Sequence, residues 1–185
     1  EKQIPYILQD TTAFLKIISE NNAVNPNTKL CTLDVASLYT NIPHEQGALW
    51  VADFYAETVH LWPTYNPGIE PISRDTMIDL IIFVLKNSTF EFDDEYYVQN
   101  YGTTMGSSFS VRFANIYMQQ FLRKFFDNYT KAKPCYIARL IDDLFFTWDR
   151  SREELDILIN DLNLWHPTIK FEPTVSESEV NFLDT

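Results

Sequence analysis

Two strand-forming runs joined by a pair of aspartates constrain the fold of this chain more than any other feature. The segment YIARLIDDLFFTW, residues 136–148, carries β-branched and aromatic residues on both sides of Asp142 and Asp143. Because only these two residues separate the runs, we predict a tight β-hairpin. Such a hairpin sets two antiparallel strands side by side and places both carboxylates at or beside the turn.

The adjacent carboxylates of Asp142 and Asp143 have two readings. Most acidic pairs of this kind are solvated turns, and that reading stays open for the pair taken alone. Near a low-dielectric core, however, ionised carboxylates repel each other and lose hydration, so that one takes up a proton or a cation binds. Asp34, near the end of the strand-like run LCTLDV, could converge on the same place. Three carboxylates suit Mg²⁺, and two such ions about 3.5–4 Å apart support phosphoryl transfer.

The rest of the chain mixes helical and hairpin patterns. Apolar residues at helical spacing predict helices from Asp10, from Ser73, after Gly106 and from Ser151, where Glu154 completes a capping box. The runs TFEF and YYVQN around DDE predict a second hairpin, and TIKFEPTV and EVNFLDT predict further strands. We therefore predict an α+β fold in which helices pack on one face of an antiparallel sheet.

The same periodicity indicates which helix positions face the core. The predicted inward residues are Phe14, Leu15, Ile17 and Ile18; Met77, Ile78, Ile81, Val84 and Leu85; Phe109, Phe113, Ile116, Tyr117, Phe121 and Phe125; and Leu155, Leu158, Ile159 and Leu162.

Length and charge limit the possible functions. With 185 residues and 45% hydrophobic content, the chain is the size of one globular domain, and no apolar run approaches the length of about 20 residues that a membrane span needs. The net charge of −12 argues against a self-sufficient nucleic-acid binder, so a phosphate-binding surface must be local or lie outside this sequence. The basic residues cluster before the paired aspartates, where they form either such a surface or a solvated helix end. They are Arg123, Lys124, Lys131, Lys133 and Arg139.

Cysteine usage and the chain ends add two expectations. Cys31 and Cys135 lack the spacing of a metal or redox motif, and we expect reduced, buried thiols of an intracellular protein of the nucleus or cytoplasm. Because the chain starts without Met at Glu1 and stops on the apolar NFLDT, we expect a fragment of a longer protein.

Three blocks occur in the order and character of reverse transcriptase motifs A, B and C: LDVASLYTNIPHEQG, QNYGTTMGSSFSVRFANIYM and ARLIDDLFFTW. More narrowly, the chain resembles the Penelope-like retroelement reverse transcriptases, whose motifs read like DVxSLYTNIP, GTxMGS followed by AN, and RYIDDIFF. The resemblance extends to DTTAFL upstream and to HPTIKFE and NFLDT downstream. It implies that residues 1–185 form a single polymerase-type palm domain with part of the fingers, while most of the fingers and the thumb lie outside this sequence.

The resemblance implies a role for several residues near motifs A and C. Asp34 and Asp142 would be the principal catalytic metal ligands, with Asp143 tuning or sharing the site. The backbone carbonyl of Val35 would be an extra ligand. Tyr39 matches the aromatic steric gate that crowds a ribose 2′-OH, although core packing is an alternative role for this ring.

Motif B implies the nucleotide- and template-binding part of the site. Gly102, Gly106 and Ser107 would let the backbone approach the incoming nucleotide and template. The helix that begins near Ser108 would direct its N-terminus at phosphate, which its dipole favours. Asn115 matches the polar position of this helix, or it is an ordinary helix-face hydrogen bonder.

The implied function is RNA-directed DNA synthesis. Two Mg²⁺ ions, for which Mn²⁺ can substitute, would act on deoxynucleoside triphosphates and a DNA primer paired to an RNA template, with no membrane partner. Lys170 is either a general acid near the pyrophosphate or a surface strand lysine. The alternatives are a catalytically silent palm that acts as a structural or interaction module, and RNA-templated RNA synthesis, which Tyr39 disfavours.

Overall fold

The computed structural model describes residues 6–20, 25, 27–134, 136–183 and 185. The helices are α1 (Thr11–Glu20), α2 (Leu38–Asn41), α3 (His44–Thr58), α4 (Trp62–Tyr65), α5 (Arg74–Lys86), α6 (Ser108–Asn128) and α7 (Arg152–Trp165). The strands are β1 (Tyr6–Ile7), β2 (Lys29–Val35), β3 (Thr89–Phe92), β4 (Glu95–Val98), β5 (Ile137–Leu140), β6 (Asp143–Trp148) and β7 (Phe171–Ser176). They fall into two compact units, one of the described residues up to Ala36 and from Phe121 onward, the other Ser37–Gln120. The prediction of a single palm domain stays a prediction.

The first unit is built on a five-stranded sheet with the order β1-β5-β6-β2-β7. Strands β5, β6, β2 and β7 are antiparallel neighbours, and the two-residue β1 joins β5 in parallel. The predicted α+β fold with an antiparallel sheet is confirmed. Since β2 lies between β6 and β7, the residue Asp34 near its end has a neighbouring strand on each side.

Both faces of this sheet carry packed side chains. On one face, α7 and the end of α6 pack against β7, where the ring of Phe121 lies 5.7 Å from that of Phe171. On the opposite face, Phe14 of α1 packs edge-on against Phe145 and Phe182, at centroid distances of 5.0 and 4.7 Å. Alternate residues of a strand point to opposite faces, so β6 contributes to both layers.

Two details of the first unit differ from the sequence predictions. Leu15 and Ile18 are 50% and 38% exposed rather than inward, because α1 reaches the sheet through the row that contains Phe14. The segment EVNFLDT is not a strand in residues 179–183 or at 185. It instead delivers the buried ring of Phe182 to the core beside Phe145.

Helices α6 and α7 confirm the periodicity. Four of the predicted residues of α6 are buried, namely Phe113, Tyr117, Phe121 and Phe125, while Phe109 and Ile116 are half-buried. Ser151 and Glu154 form the predicted capping box at the start of α7. The whole predicted stripe of α7 is buried: Leu155, Leu158, Ile159 and Leu162.

The second unit contains α3 and α5 packed side by side. The Ser73 hydroxyl caps α5 by accepting from the Thr76 amide at 3.1 Å. Arg74 ties the two helices together through Nη2, which lies 2.7 Å from Asp53 Oδ1. Val84, predicted to face inward, is 39% exposed, because the buried side of α5 is the row of Ile81 and Leu85.

The stretch between α3 and α5 is short irregular helix. A 3₁₀ turn (Val59–Leu61) leads into α4, and the Trp62 indole N–H donates to the Ile69 carbonyl at 2.7 Å. The predicted second hairpin is confirmed as β3 and β4, with the turn residues Asp93 and Asp94 at φ of 52° and 60°. Both φ values are positive, as a type I′ turn requires.

Two observations concern the expected environment of the chain. Cys31 is fully buried, and burial raises the pKa of its thiol to about 12, while Cys135 lies outside the described residues. Within the described part of the chain, no helix has the length and apolar character needed to cross a membrane.

Candidate active site

The β5–β6 turn is one residue earlier than the sequence predicts. Leu140 pairs with Asp143, so Ile141 and Asp142 form the turn and Asp143 is the first residue of β6. Ile141 has a φ of 52°, an unfavourable value for a β-branched residue. The acidic pair is therefore divided, with one carboxylate on the turn and one on the sheet.

Arg139 makes a hydrogen bond to the backbone of this turn. Its side chain is fully buried, and Nη1 donates to the Ile141 carbonyl at 2.6 Å. Burial lowers the pKa of the guanidinium to about 10, against the opposing effect of the Asp142 charge. A buried cation thus lies beside the turn that carries Asp142. Its hydrogen bond to the backbone and the nearby carboxylate offset part of the cost of burying its charge.

Asp34 and Asp143 are neighbours on adjacent strands. Leu33 pairs with Leu144 in the antiparallel ladder, and the next residue on each strand is one of the two aspartates. Residues opposite each other on antiparallel strands point to the same face of the sheet. On the other side of β2, Asp34 pairs with Glu172 of β7, so three carboxylates lie in a row across three strands.

The charges of the predicted aspartates influence one another. Burial raises the pKa of Asp142, the charge of Asp34 raises it further, and a backbone hydrogen bond and Arg139 oppose the increase. Burial also raises the pKa of Asp143, with added contributions from the charges of Asp142 and Asp34. The ionised forms of Asp142 and Asp143 are therefore destabilised, which is the condition that a bound cation relieves.

The donor set fits a hard divalent cation, since all three side chains offer carboxylate oxygens. Among the residues that the structure describes, however, no group of three or more His, Cys, Asp or Glu side chains is close enough together to hold a metal ion. Asp34 is exposed, and Asp142 and Asp143 are half-exposed. The three residues thus approach one another without forming a closed ligand set, and Mg²⁺ binding stays a prediction.

Val35 closes the β2 strand beside this cluster. Its side chain is buried, and it pairs with Phe171 of β7. The following amide, of Ala36, donates to the Lys170 carbonyl at 2.9 Å. The proposed role of the Val35 carbonyl as a metal ligand stays a prediction.

In the second unit, the backbone around Tyr39 is tied to the Gly102 loop. The Thr103 amide donates to the Tyr39 carbonyl at 2.6 Å, and the Gly102 amide donates to the Ile42 carbonyl at 3.1 Å. His44, which is buried, donates from Nε2 to the Gly102 carbonyl at 2.6 Å. The two segments therefore form one hydrogen-bonded layer, and the ring of Tyr39 is half-buried at its edge.

Glycine is required at position 102 by this close approach. Gly102 has a φ of 72°, and a Cβ there would overlap the Tyr39 carbonyl and lie 2.6 Å from the Thr40 Cα. Gly106 differs, because it has a φ of 93° but no neighbour within 4 Å of a Cβ. A packing role thus explains Gly102, while the space beside Gly106 is open.

Helix α6 begins at Ser108, as the motif implies. Ser107 precedes it, its hydroxyl accepts from the Phe109 amide at 3.3 Å, and its carbonyl accepts from the Val111 amide at the same distance. Asn115 is half-buried in the second turn. Both roles considered for Asn115 stay open.

Three lysines bond to other groups of the protein. Lys170 donates from Nζ to the carbonyls of Asn163 and His166 at 2.5 and 2.7 Å, at the end of α7, and its role as a general acid stays a prediction. Lys133 donates to the Phe126 carbonyl at the end of α6, and Lys131 pairs with Asp161 at 2.7 Å. The helix-end reading fits Lys133, since a cation is favoured near the C-terminal carbonyls.

Sequence reasoning missed three residues, two of them in the first unit and one in the second. Arg139 was grouped with surface cations but is buried, and Glu172 was not singled out although it pairs with Asp34. His44 lies in the quoted motif A block, but its partner Gly102 is distant along the chain. Only the position of Arg139 within a strand-like run could have indicated burial.

Comparisons with known proteins identify the fold. No family model matches this chain, and no curated protein matches its sequence. Its structure is similar to that of apo telomerase from Candida tropicalis, with a TM-score of 0.67 and 14% identity over 94% of this chain and 33% of that chain. The C. tropicalis enzyme in complex with a TWJ fragment of telomeric RNA gives a TM-score of 0.66, 15% identity, and coverage of 95% and 31%.

A similar complex from Candida albicans gives a TM-score of 0.64 and 10% identity over 96% of this chain and 33% of that chain. The chain thus spans about a third of the length of the telomerases it matches. At these identities the likeness establishes the fold, and the chain has a reverse-transcriptase-like fold.

Proposed function

We propose that this chain is the palm of an RNA-directed DNA polymerase of the Penelope-like type, which adds deoxynucleotides to a primer 3′-OH. One observation carries the proposal: Asp34 and Asp143 come together on adjacent strands, within the electrostatic reach of Asp142. Burial and mutual repulsion raise the pKa of both hairpin aspartates, which is typical of carboxylates at a functional site.

The sheet supplies the positioning that phosphoryl transfer demands. Asp34 and Asp143 project from paired strands, and Asp142 lies on a turn that Arg139 holds through the Ile141 carbonyl. Catalysis of this kind depends on positioning and on electrostatic stabilisation more than on covalent chemistry by the protein. The rigidity of the hairpin is therefore part of the proposed mechanism.

Divalent cations held by Asp34, Asp142 and Asp143 would supply charge neutralisation for the attacking and leaving oxygens. Without a cation, burial and the nearby negative charges raise the pKa of Asp142 and Asp143, so that their ionised forms are destabilised. The three residues therefore act as ligands, and none is assigned the role of a proton donor.

The second unit would recognise the nucleotide. Tyr39 would exclude a ribose 2′-OH, and the open space at Gly106 would admit the nucleotide or template backbone. The N-terminus of α6, which follows Ser107, would favour a phosphate through the amides of its first turn and its dipole. The proposed partners are an RNA template, a DNA primer and deoxynucleoside triphosphates, and two of the similar telomerase structures contain RNA.

Primer extension by the full-length protein tests this proposal, and the chain contains a matched control. Asp93 and Asp94 are a second acidic pair on a hairpin turn, but they belong to the exposed β3–β4 hairpin. We expect the double variant Asp142→Asn with Asp143→Asn to extend primers more slowly by a factor on the order of 10³ or more, because it has lost metal ligands. The double variant Asp93→Asn with Asp94→Asn should extend primers like the wild type.

Equal extension by the wild type and the Asp142, Asp143 variant would remove the assignment. A wild type that extends no primer under any metal condition would favour the silent palm that acts as a structural or interaction module. A wild type that incorporates ribonucleotides in preference to deoxynucleotides would favour RNA synthesis instead.

A further inference from the structure

We infer that His44 is a positioning residue for nucleotide selection, through the loop that it fixes beside Tyr39. This inference rests on the proposed polymerase function. The residue does not touch the reacting atoms in this account. It acts by holding the backbone on which the proposed sugar gate is carried.

The Gly102 peptide is held on three sides. Its amide donates to the Ile42 carbonyl at 3.1 Å, and its carbonyl accepts from His44 Nε2 at 2.6 Å. Its Cα lies so close to the Tyr39 and Thr40 backbone that no Cβ fits. Since a carbonyl can only accept, His44 must carry its proton on Nε2.

We call these contacts of Gly102 the clamp. Among the described hydrogen bonds of Gly102, only the one from His44 comes from a side chain, so a substitution can remove it; the other is backbone to backbone. Its ring is buried and lies parallel to that of Tyr101, at a centroid distance of 6.3 Å and an interplanar angle of 17°. Stacking on Tyr101 therefore orients the imidazole ring of His44, and this orientation points Nε2 at the Gly102 carbonyl.

The residue after Gly102 is hydrogen-bonded to the backbone of Tyr39. The Thr103 amide, next to Gly102, donates to the Tyr39 carbonyl at 2.6 Å, and the Thr103 hydroxyl lies 2.7 Å from that of Ser110 in α6. A displacement of Gly102 must therefore move the backbone of Tyr39 or break its bond. A steric gate discriminates only if the backbone that carries it does not yield, since small misplacements in a site change rates strongly.

Two variants at one position separate the hydrogen bond from packing. His44→Phe keeps an aromatic ring for Tyr101 but removes the donor. His44→Gln loses the ring but places an amide N–H at a similar reach. The full-length protein would be assayed for the KM and kcat of deoxynucleotides, for incorporation of ribonucleotides, and for hydrogen exchange of the Gly102 and Thr103 amides.

We expect His44→Phe to raise the KM for deoxynucleotides about tenfold and to weaken sugar discrimination by a similar factor, with kcat within about threefold of wild type. The Gly102 and Thr103 amides should exchange faster in this variant. His44→Gln should restore the KM and the discrimination to within about twofold. A role limited to packing would instead lower thermal stability in both variants without changing sugar discrimination.

Wild-type KM and discrimination in an active His44→Phe protein would overturn the inference and leave the polymerase assignment intact. If the wild type itself extends no primer, both the assignment and the inference fall. If His44→Phe does not fold, His44→Gln decides: values within about twofold of wild type support the clamp, and a tenfold loss of discrimination in a folded Gln variant overturns it.

Discussion

Asp34 and Asp143 lie on adjacent antiparallel strands, each one residue beyond the paired Leu33 and Leu144. The two carboxylates therefore share a face of the sheet although they are far apart along the chain. Asp142 adds a third charge from the turn, and burial with mutual repulsion raises the pKa of both hairpin aspartates. A cross-strand arrangement of like charges destabilises a sheet unless a cation compensates it.

Alanine variants at Gly102 and Gly68 test the close approach between the Tyr39 backbone and the Gly102 loop. Both have similar positive φ values, 72° and 77°, but only Gly102 has backbone where a Cβ would lie. Gly68→Ala should cost about 1–2 kcal/mol of unfolding free energy from the left-handed backbone alone. Gly102→Ala should cost at least about 3 kcal/mol, because overlap adds to the same strain. Urea unfolding checks both, and equal losses would contradict the close approach.

Arg139 and Arg150 test the support of the hairpin turn. Arg139→Met keeps an apolar stem of similar length but removes the bond to the Ile141 carbonyl and the charge near Asp142. We expect a loss of about 2–3 kcal/mol in the free energy of unfolding, since the lost hydrogen bond is buried and charged. Arg150→Met, which removes an exposed pair with Glu154 at 3.6 Å, should cost no more than about 0.5 kcal/mol. Similar losses for the two variants would show that the buried guanidinium does not support the turn.

The buried imidazole of His166 should make the free energy of unfolding depend on pH. Its Nδ1 accepts from the amides of Thr168 and Ile169, each at 3.2 Å, and burial followed by the charge of Lys170 lowers its pKa from 6.5. The unfolded chain therefore binds the proton more readily than the folded one. The stabilising contribution is complete above pH 6.5 and is lost as the pH falls toward the folded pKa.

The control for His166 is the variant His166→Asn, whose side-chain oxygen can accept the same amides but does not titrate. Between pH 7.5 and 5, the wild type should lose stability relative to this variant, at no more than about 1.4 kcal/mol per pH unit. Denaturant unfolding at several pH values measures the difference. Parallel stability curves for the two proteins would rule out the role of His166.

Tyr39 tests the sugar gate by itself. In the full-length protein, Tyr39→Ala should increase ribonucleotide incorporation relative to deoxynucleotides by roughly tenfold or more, because a bulky contact with the 2′-OH is lost. Tyr39→Phe keeps the ring and should keep the discrimination. Competitive incorporation assays measure the ratio, and an unchanged ratio in the alanine variant would leave the ring with a packing role only.

Features set by local sequence were predicted well. The capping box of Ser151 and Glu154, the stripe of α7 and the Asp93–Asp94 turn all depend on residues a few positions apart. The strand pairing that makes Asp34 a neighbour of Asp143 follows from the predicted strands, while their role as a common site stays a prediction. These signals lie in the chain itself, because periodicity and turn chemistry are local.

Two errors concern features that residue spacing does not specify. The apolar runs around the acidic pair do not specify which two residues turn, and the pairing of Leu140 with Asp143 places the turn at Ile141 and Asp142, one position earlier. Leu15 was predicted inward from its character, but only part of α1 meets the sheet. Such outcomes depend on which surfaces meet in three dimensions, which residue spacing does not specify.

A crystal structure of this chain grown with Mn²⁺ is the most direct test of metal binding by the three aspartates, because manganese gives an anomalous signal that separates it from water. We expect anomalous density within about 2.5 Å of carboxylate oxygens of both Asp34 and the hairpin aspartates, with the side chains turned toward the ion. Manganese bound elsewhere in the crystal, while Asp34 and the pair Asp142 and Asp143 carry none and stay apart, would contradict it.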